Sequence, residues 1–169
     1  MMRVYSPDSI RFRINSFFVL TKPAIIRTLL ITTVPTMFVA EEGTPSLWLI
    51  IATMVGGSLA AAGANSFNMV LDADIDKKMN RTSNRPLVTG AITPKEATFF
   101  AFVLEIGAFI WLLSFVNLFS AFLAISATAF YVFVYTMWLK RSSTSNIVIG
   151  GAAGAVPVLI GWTAVTGTL

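Results

Sequence analysis

The chain has 169 residues, of which 56% are hydrophobic and only 12% charged, with 12 Lys and Arg against 8 Asp and Glu. Soluble globular domains carry about 25% charged residues, so a water-soluble fold and disorder are both excluded, and an all-α polytopic membrane bundle is what remains. The sequence has neither Cys nor His, which excludes disulfides, thiolate nucleophiles, Cys/His zinc sites, Ser-His-Asp triads and His-ligated haem within it.

Residues 1–22 mix Arg3, Arg11 and Arg13 with Pro7, Asp8 and Asn15. They lack the apolar core of a cleaved signal peptide and are expected to form a cytoplasmic arm. Within the arm, Ile14, Phe17, Phe18 and Leu20 predict a short interfacial helix. A first membrane span is predicted over 23–40, with Pro23 suited to the first helical turn and Pro35 to a kink. Four more are predicted over 47–71, 97–114, 118–139 and 147–165, each long enough to cross a hydrocarbon layer of about 30 Å. The tight turn 115–117 makes the third and fourth an antiparallel hairpin.

Basic residues alternate from loop to loop. Arg3, Arg11, Arg13, Lys22 and Arg27 precede or begin the first span, Lys77, Lys78, Arg81, Arg85 and Lys95 follow the second, and Lys140 and Arg141 follow the fourth. The loops 41–46 and 115–117 have none. The positive-inside rule then places the N-terminus and the Asp72–Lys95 loop on the cytoplasmic side of an inner or plasma membrane, with Leu169 outside. Small residues recur at four-residue spacing, Gly56, Ala60 and Ala64 in the second span and Gly150 with Gly154 in the fifth, and predict that these two spans pack within the bundle.

Insertion into a bilayer does not explain the segment 65–86, NSFNMVLDADIDKKMNRTSNRP. Asn68, Asp72 and Asp76 are spaced i, i+4, i+8, so a helix continuing through them stacks an amide and two carboxylates on one face, each about 6 Å above the last. Asp74 points to the opposite face. Such an oxygen-rich edge suits Mg²⁺ shared with substrate phosphates, and the flanking Lys77, Lys78, Arg81 and Arg85 suit a pyrophosphate. The same residues also read as a solvated ion-pair cluster that only sets topology. An EF-hand is excluded, since Lys77 and Ser83 stand where Gly and Glu are needed. There is no phosphate-binding GxxxxGK[ST] loop, and basic residues confined to one membrane face give no support for nucleic-acid binding.

The Asn68-xxx-Asp72-xxx-Asp76 pattern resembles the first aspartate-rich motif of the UbiA superfamily of intramembrane prenyltransferases. The string DADIDKKMNRTSNRPLVTG, Asp72 to Gly90, is similar to the haem-farnesylating branch of that superfamily, as are Leu20-Thr-Lys-Pro23, Tyr135 to Lys140, and Asn146 to Gly154 with Pro157, Gly161 and Trp162. The resemblance runs from about Leu20 onward, and 23–169 then reads as the N-terminal part of the prenyltransferase membrane domain.

The resemblance implies a bundle of about nine spans around a central cavity, of which five are present. It implies transfer of the farnesyl group of farnesyl diphosphate to a vinyl group of haem B, giving haem O. It assigns Asn68, Asp72 and Asp76 to Mg²⁺ and diphosphate, with Asp72 and Asp76 as the catalytic carboxylates and Arg81, Arg85 and Lys22 as diphosphate ligands. Haem B is then a substrate and not a bound cofactor, no residue offers itself as its axial ligand, and a haem A synthase or oxidase assembly follows downstream. Phe67, Met69, Phe99 and Phe102 are candidate walls for the prenyl tail, although core or lipid-facing packing is the favoured role for any one of them.

Two departures stand out. Val158 replaces an expected proline, and the second aspartate-rich motif of the family does not occur before Leu169. The second fits a partial sequence, a half-protein that needs a partner, or a degenerate non-enzyme, and these 169 residues are expected to be inactive alone. A prenyltransferase for an aromatic or quinone precursor and a non-catalytic membrane subunit are the alternative readings.

Overall fold

The computed structural model describes residues 10–169, so Arg3, Pro7 and Asp8 of the predicted arm lie outside the described residues. Helix α1 (Ile10–Leu20) comes first, and the five predicted spans follow as α2 (Pro23–Glu41), α3 (Leu47–Leu71), α4 (Pro94–Phe115), α5 (Leu118–Ser142) and α6 (Asn146–Thr166). All five are long and apolar enough to cross a membrane.

Local chemistry sets the helix ends. α2 starts on Pro23 at its first turn and stops where Glu42 turns left-handed at φ 52°. α3 starts where the Ser46 side chain accepts from the Leu49 N–H at 3.2 Å. α4 begins three residues before the predicted 97, because Thr93 and Glu96 form a reciprocal capping box with Pro94 between them, a charged start that an apolar-run criterion discards. Asn117 caps α5, accepting from the Ser120 N–H at 2.8 Å, and its amide donates to the Thr163 carbonyl of α6 at 2.6 Å, so one residue closes the tight turn and ties it to a third helix. Pro35 lies within a continuous α2, where the Thr32, Thr33 and Thr36 hydroxyls donate to carbonyls of the same helix.

The five spans close into a ring in the order α2, α3, α4, α5, α6 and back to α2, with the widest interfaces between α3 and α4 and between α2 and α6. The stripe of the second span packs inside the bundle, with Gly56 and Ala60 buried, whereas in the fifth span Gly150 is half-buried and Gly154 is exposed along a cavity. Gly56 on α3 receives Leu112 of α4, where an added Cβ would lie 2.4 Å from Leu112 Cδ2. On α6 Gly150 receives Tyr135 of α5, where an added Cβ would lie 2.4 Å from Cδ2, and Gly161 lets the backbone of α2 approach, since its Cβ would fall 2.5 Å from the Thr33 carbonyl oxygen. Helix α1 docks at the basic end through Ser16 and Leu20, which are buried, and through Phe17 on Phe100 with ring centroids 5.0 Å apart. Its Ile10, Ile14 and Phe18 face outward, the pattern of the predicted interfacial helix.

Within α5, residues Phe130–Leu139 form a π-helix of ten residues. Runs of this length are rare, and π segments collect at functional sites. This one ends beside the polar segment that follows α3.

Candidate functional site

α3 ends at Leu71, yet its hydrogen-bond ladder continues. The Asp72 N–H donates to the Asn68 carbonyl at 2.9 Å, and the Asp76 N–H to the Asp72 carbonyl at 2.8 Å across a one-turn helix, Ala73–Asp76. Asn68, Asp72 and Asp76 consequently share one face, as their spacing predicts. They are not solvated: Asn68 is 3%, Asp72 1% and Asp76 4% exposed.

Buried carboxylates require partners, and each is paired with a cation. Lys140 Nζ donates to Asp72 Oδ2 at 2.5 Å, and Arg85 Nη1 to Asp76 Oδ2 at 2.5 Å. Lys22 Nζ donates to Asn68 Oδ1 at 2.6 Å. The Asn68 amide donates in turn to Asp72 Oδ2 at 2.9 Å and to Thr136 Oγ1 at 3.1 Å. The Thr136 hydroxyl donates to the Tyr131 carbonyl five residues back at 2.9 Å. Burial, and then the nearby Arg85 charge, push the Lys22 ammonium down to about 8 from its ordinary 10.5.

Of the predicted residues, the structure thus brings together Lys22, Asn68, Asp72, Asp76 and Arg85. Arg81 sits exposed on the short turn Asn80–Thr82 and makes no hydrogen bond or ion pair among the described residues. Asp74 faces away, as its spacing requires, and takes a bidentate bond from Arg141 at 2.8 and 2.9 Å; these hydrogen bonds hold its carboxyl down to about 2. Arg141 also donates to the last carbonyl of α3, that of Leu71, at 2.7 Å.

Three participants escape a reading of the sequence. Sequence alone marks Lys140 and Arg141 as topology signals, and Lys140 also as the end of a family-like string, without showing that either reaches a carboxylate, although Thr136 and Lys140 stand four residues apart at the basic end of a span. Glu105, an acidic residue in the middle of an apolar helix, is a signal in its own right. It is 6% exposed, accepts from Thr128 Oγ1 at 3.0 Å, and fits only because Gly63 opposite has no side chain.

Below the polar cluster lies a cavity of about 300 Å³ lined by α2, α3, α5 and α6, at the small end of the range for ligand pockets. Along α3 it extends from Thr53 to Asn65, about 18 Å at 1.5 Å per residue, and Asn65 and Tyr131 bring its upper end toward Asn68. None of Phe67, Met69, Phe99 and Phe102 lines it, and each takes a packing or outward-facing role instead. Phe99 and Phe102 are exposed on α4, Phe67 packs edge-to-face on Phe102 with centroids 4.9 Å apart, and Met69 is buried against Leu20 and Leu87. The space is instead left by small residues, Gly57, Ala61 and Ala64 facing Gly150, Ala153 and Gly154.

The donor set fits a hard divalent cation. It consists of carboxylate and amide oxygens, and Asp72 Oδ1 is buried without a hydrogen-bond partner. Among the described residues no three Asp, Glu, His or Cys side chains gather closely enough to hold a metal by themselves. That suits an ion completing its shell from phosphate oxygens and water, as Mg²⁺ does.

Comparison with known proteins identifies the family. The model of the UbiA prenyltransferase family matches residues 29–169. A protein named protoheme IX farnesyltransferase from Mycobacterium sp. (strain KMS) is 51% identical over 164 residues, 97% of this chain and 53% of that protein. Proteins of the same name from Mycolicibacterium smegmatis and Clavibacter sepedonicus are each 52% identical, over 98% and 92% of this chain. The chain spans about half the length of these curated relatives. No solved structure matches significantly. Five apolar helices of this pattern make a multi-pass membrane protein, and the chain belongs to the UbiA prenyltransferase family.

Proposed function

We propose that this chain carries the first diphosphate-binding half of an intramembrane enzyme that transfers farnesyl from farnesyl diphosphate to a vinyl group of haem B, giving haem O for a downstream haem A synthase or oxidase assembly. The observation that carries the proposal is the stacking of Asn68, Asp72 and Asp76, each engaged by a cation, over an apolar cavity whose upper end approaches them.

In this reading Asp72 and Asp76, with Asn68, hold Mg²⁺, which would neutralise charge on the diphosphate. Transfer breaks the allylic C–O bond and leaves its electron pair on the departing pyrophosphate; the farnesyl carbon forms a C–C bond with the terminal vinyl carbon, and water adds to the cation left on the other vinyl carbon with release of a proton. Lys22, Lys140 and Arg85, bonded to Asn68, Asp72 and Asp76, gather three cationic donors beside the place where the pyrophosphate charge develops. Arg81, exposed and with no partner among the described residues, is free to close on the outer phosphate. The farnesyl tail enters the cavity between Gly57 and Gly154, where helices rather than water surround it. Residues 1–22 form the cytoplasmic arm, 23–169 belong to the catalytic membrane domain, and the Asp72–Lys95 loop faces the cytoplasm of an inner or plasma membrane.

Mass spectrometry of haem from cells carrying the gene at full length tests the proposal. A farnesylated haem is expected, and it should vanish in the Asp72→Asn, Asp76→Asn double variant. Absence of the product in both, or an unchanged yield in the variant, would overturn it.

A further inference from the structure

The orientation of the Asn68 amide follows from its partners. An ammonium only donates and a carboxylate only accepts, so Oδ1 must face Lys22 and Nδ2 must face Asp72. Both amide hydrogens are committed, to Asp72 Oδ2 and to Thr136 Oγ1. Thr136 spends its own proton on the Tyr131 carbonyl, so it can only accept from Asn68. The amide therefore has one oriented state, and the only atom of Asn68 able to bind a cation already holds one, at 2.6 Å.

Charge adds a second constraint. Asp72 and Asp76 bring two negative charges to the cluster, and Lys22, Lys140 and Arg85 bring three positive ones. A bare divalent cation approaching Asn68 would meet a net positive site and an ammonium on its ligand oxygen. A diphosphate reverses both conditions, since it supplies negative charge and new acceptors for the displaced lysine. The backbone at Lys22 is held to this arrangement: it is left-handed at φ 51°, ψ 67° immediately before Pro23, a conformation that residues preceding proline rarely adopt. The four-carbon stem remains free to swing from that fixed point.

We propose that Lys22 is an exchangeable internal cation. It holds the Asn68 carbonyl oxygen against a lone divalent ion and moves onto the diphosphate when ion and diphosphate arrive together. Lys22 is in this sense a positioning residue that couples the two bindings, which a site built only of carboxylates would not do. The inference rests on the metal–diphosphate reading given above and adds to it the order in which charges exchange.

Binding measurements on the protein expressed from the gene at full length, in lipid nanodiscs, test it, with Mn²⁺ read by electron paramagnetic resonance and inorganic pyrophosphate as the anion. In the wild type, Mn²⁺ alone should bind weakly and pyrophosphate should tighten it strongly. Lys22→Met should bind Mn²⁺ alone at least about tenfold more tightly, the scale of one charge removed at close range, while the enhancement by pyrophosphate shrinks. Lys22→Gln, which keeps a donor for Asn68, should behave like Lys22→Met, and Lys22→Arg like the wild type. Unchanged or weaker Mn²⁺ binding in both neutral variants would overturn the role of Lys22 while leaving the metal site standing. Failure of every variant and the wild type to bind Mn²⁺ with pyrophosphate would overturn the metal–diphosphate reading itself, and the proposal with it.

Discussion

Lys140 and Asp72 stand 68 residues apart in sequence, and the 2.5 Å bond between them joins the end of the fourth span to the end of the second. Asp72 is almost fully buried whereas the Lys140 side chain is 31% exposed, so the lysine is the partner with access to water. Removing it leaves an uncompensated buried charge, a change that costs about 3–5 kcal/mol in buried pairs. Lys140→Met is expected to fall at the lower end of that range, and Lys140→Met with Asp72→Asn should recover much of the loss. Chemical unfolding of the four variants of this cycle in detergent supplies the measurement, and additive losses would contradict the pairing.

Arg85 and Arg81 should separate cleanly. Arg85 is bonded to Asp76 whereas Arg81 is exposed and has no partner among the described residues. Arg85→Gln should lower stability by about 1–3 kcal/mol, the range for a charged hydrogen bond removed from a mostly buried partner, and Arg81→Gln should leave it within about 0.5 kcal/mol. Both should weaken pyrophosphate binding measured by calorimetry with a divalent ion present. Equal destabilisation by the two would count against the geometry.

The pair Asp74 and Arg141 predicts a pH signature. Its hydrogen bonds hold the Asp74 carboxyl at about 2, below its ordinary 3.8. A folded-state value below the unfolded one stabilises the fold fully above about 3.8, and that contribution fades as the pH falls toward about 2. The melting-temperature gap between wild type and Arg141→Leu, followed by tryptophan fluorescence, should therefore narrow from pH 4 to pH 2. A gap that stays constant would remove Asp74 as the partner.

The cavity gives a prediction independent of the charges. An added Cβ at Gly57 meets nothing within 4 Å, so a larger side chain there enters open space and not a neighbour. Gly57→Leu should leave pyrophosphate binding unchanged. It should weaken farnesyl diphosphate by more than about tenfold, since each methylene excluded from the cavity forfeits about 0.8 kcal/mol. Equal affinities for both ligands in variant and wild type would mean that the tail lies elsewhere.

Gly161 behaves differently, because what its Cβ would strike is the backbone carbonyl of Thr33, which cannot rotate aside. Gly161→Ala should separate α2 from α6 and lower thermal stability by about 1–3 kcal/mol, as overpacking of a close contact does. Gly154→Ala, with nothing within 4 Å of its added carbon, is the matched control.

The parts of this molecule that were legible in its sequence are those written in local spacing. The limits of α3 emerge as predicted because Ser46 caps one end and a polar run closes the other, and Asn68, Asp72 and Asp76 announce their common face by four-residue steps. Distance hides the rest. Nothing near Lys140 or Arg141 says that they reach Asp72 and Asp74, and a π-helix over 130–139 uses the same aromatic and β-branched residues as an ordinary span. The cavity is hidden too, because large aromatic residues are the conspicuous ones. The space was left by Gly and Ala, whose contribution is an absence of atoms.

The π-helical stretch of α5 also governs the phase of everything after it. Its wide turns decide which way the helix faces when it reaches Lys140 and Arg141, and both arrive pointing at the end of α3. One residue gained or lost upstream would swing both side chains by about 100°, the angle between successive residues of an α-helix. Two carboxylates would then lose their cations together, so the length of this span is under as strict a constraint as the identity of any residue in it.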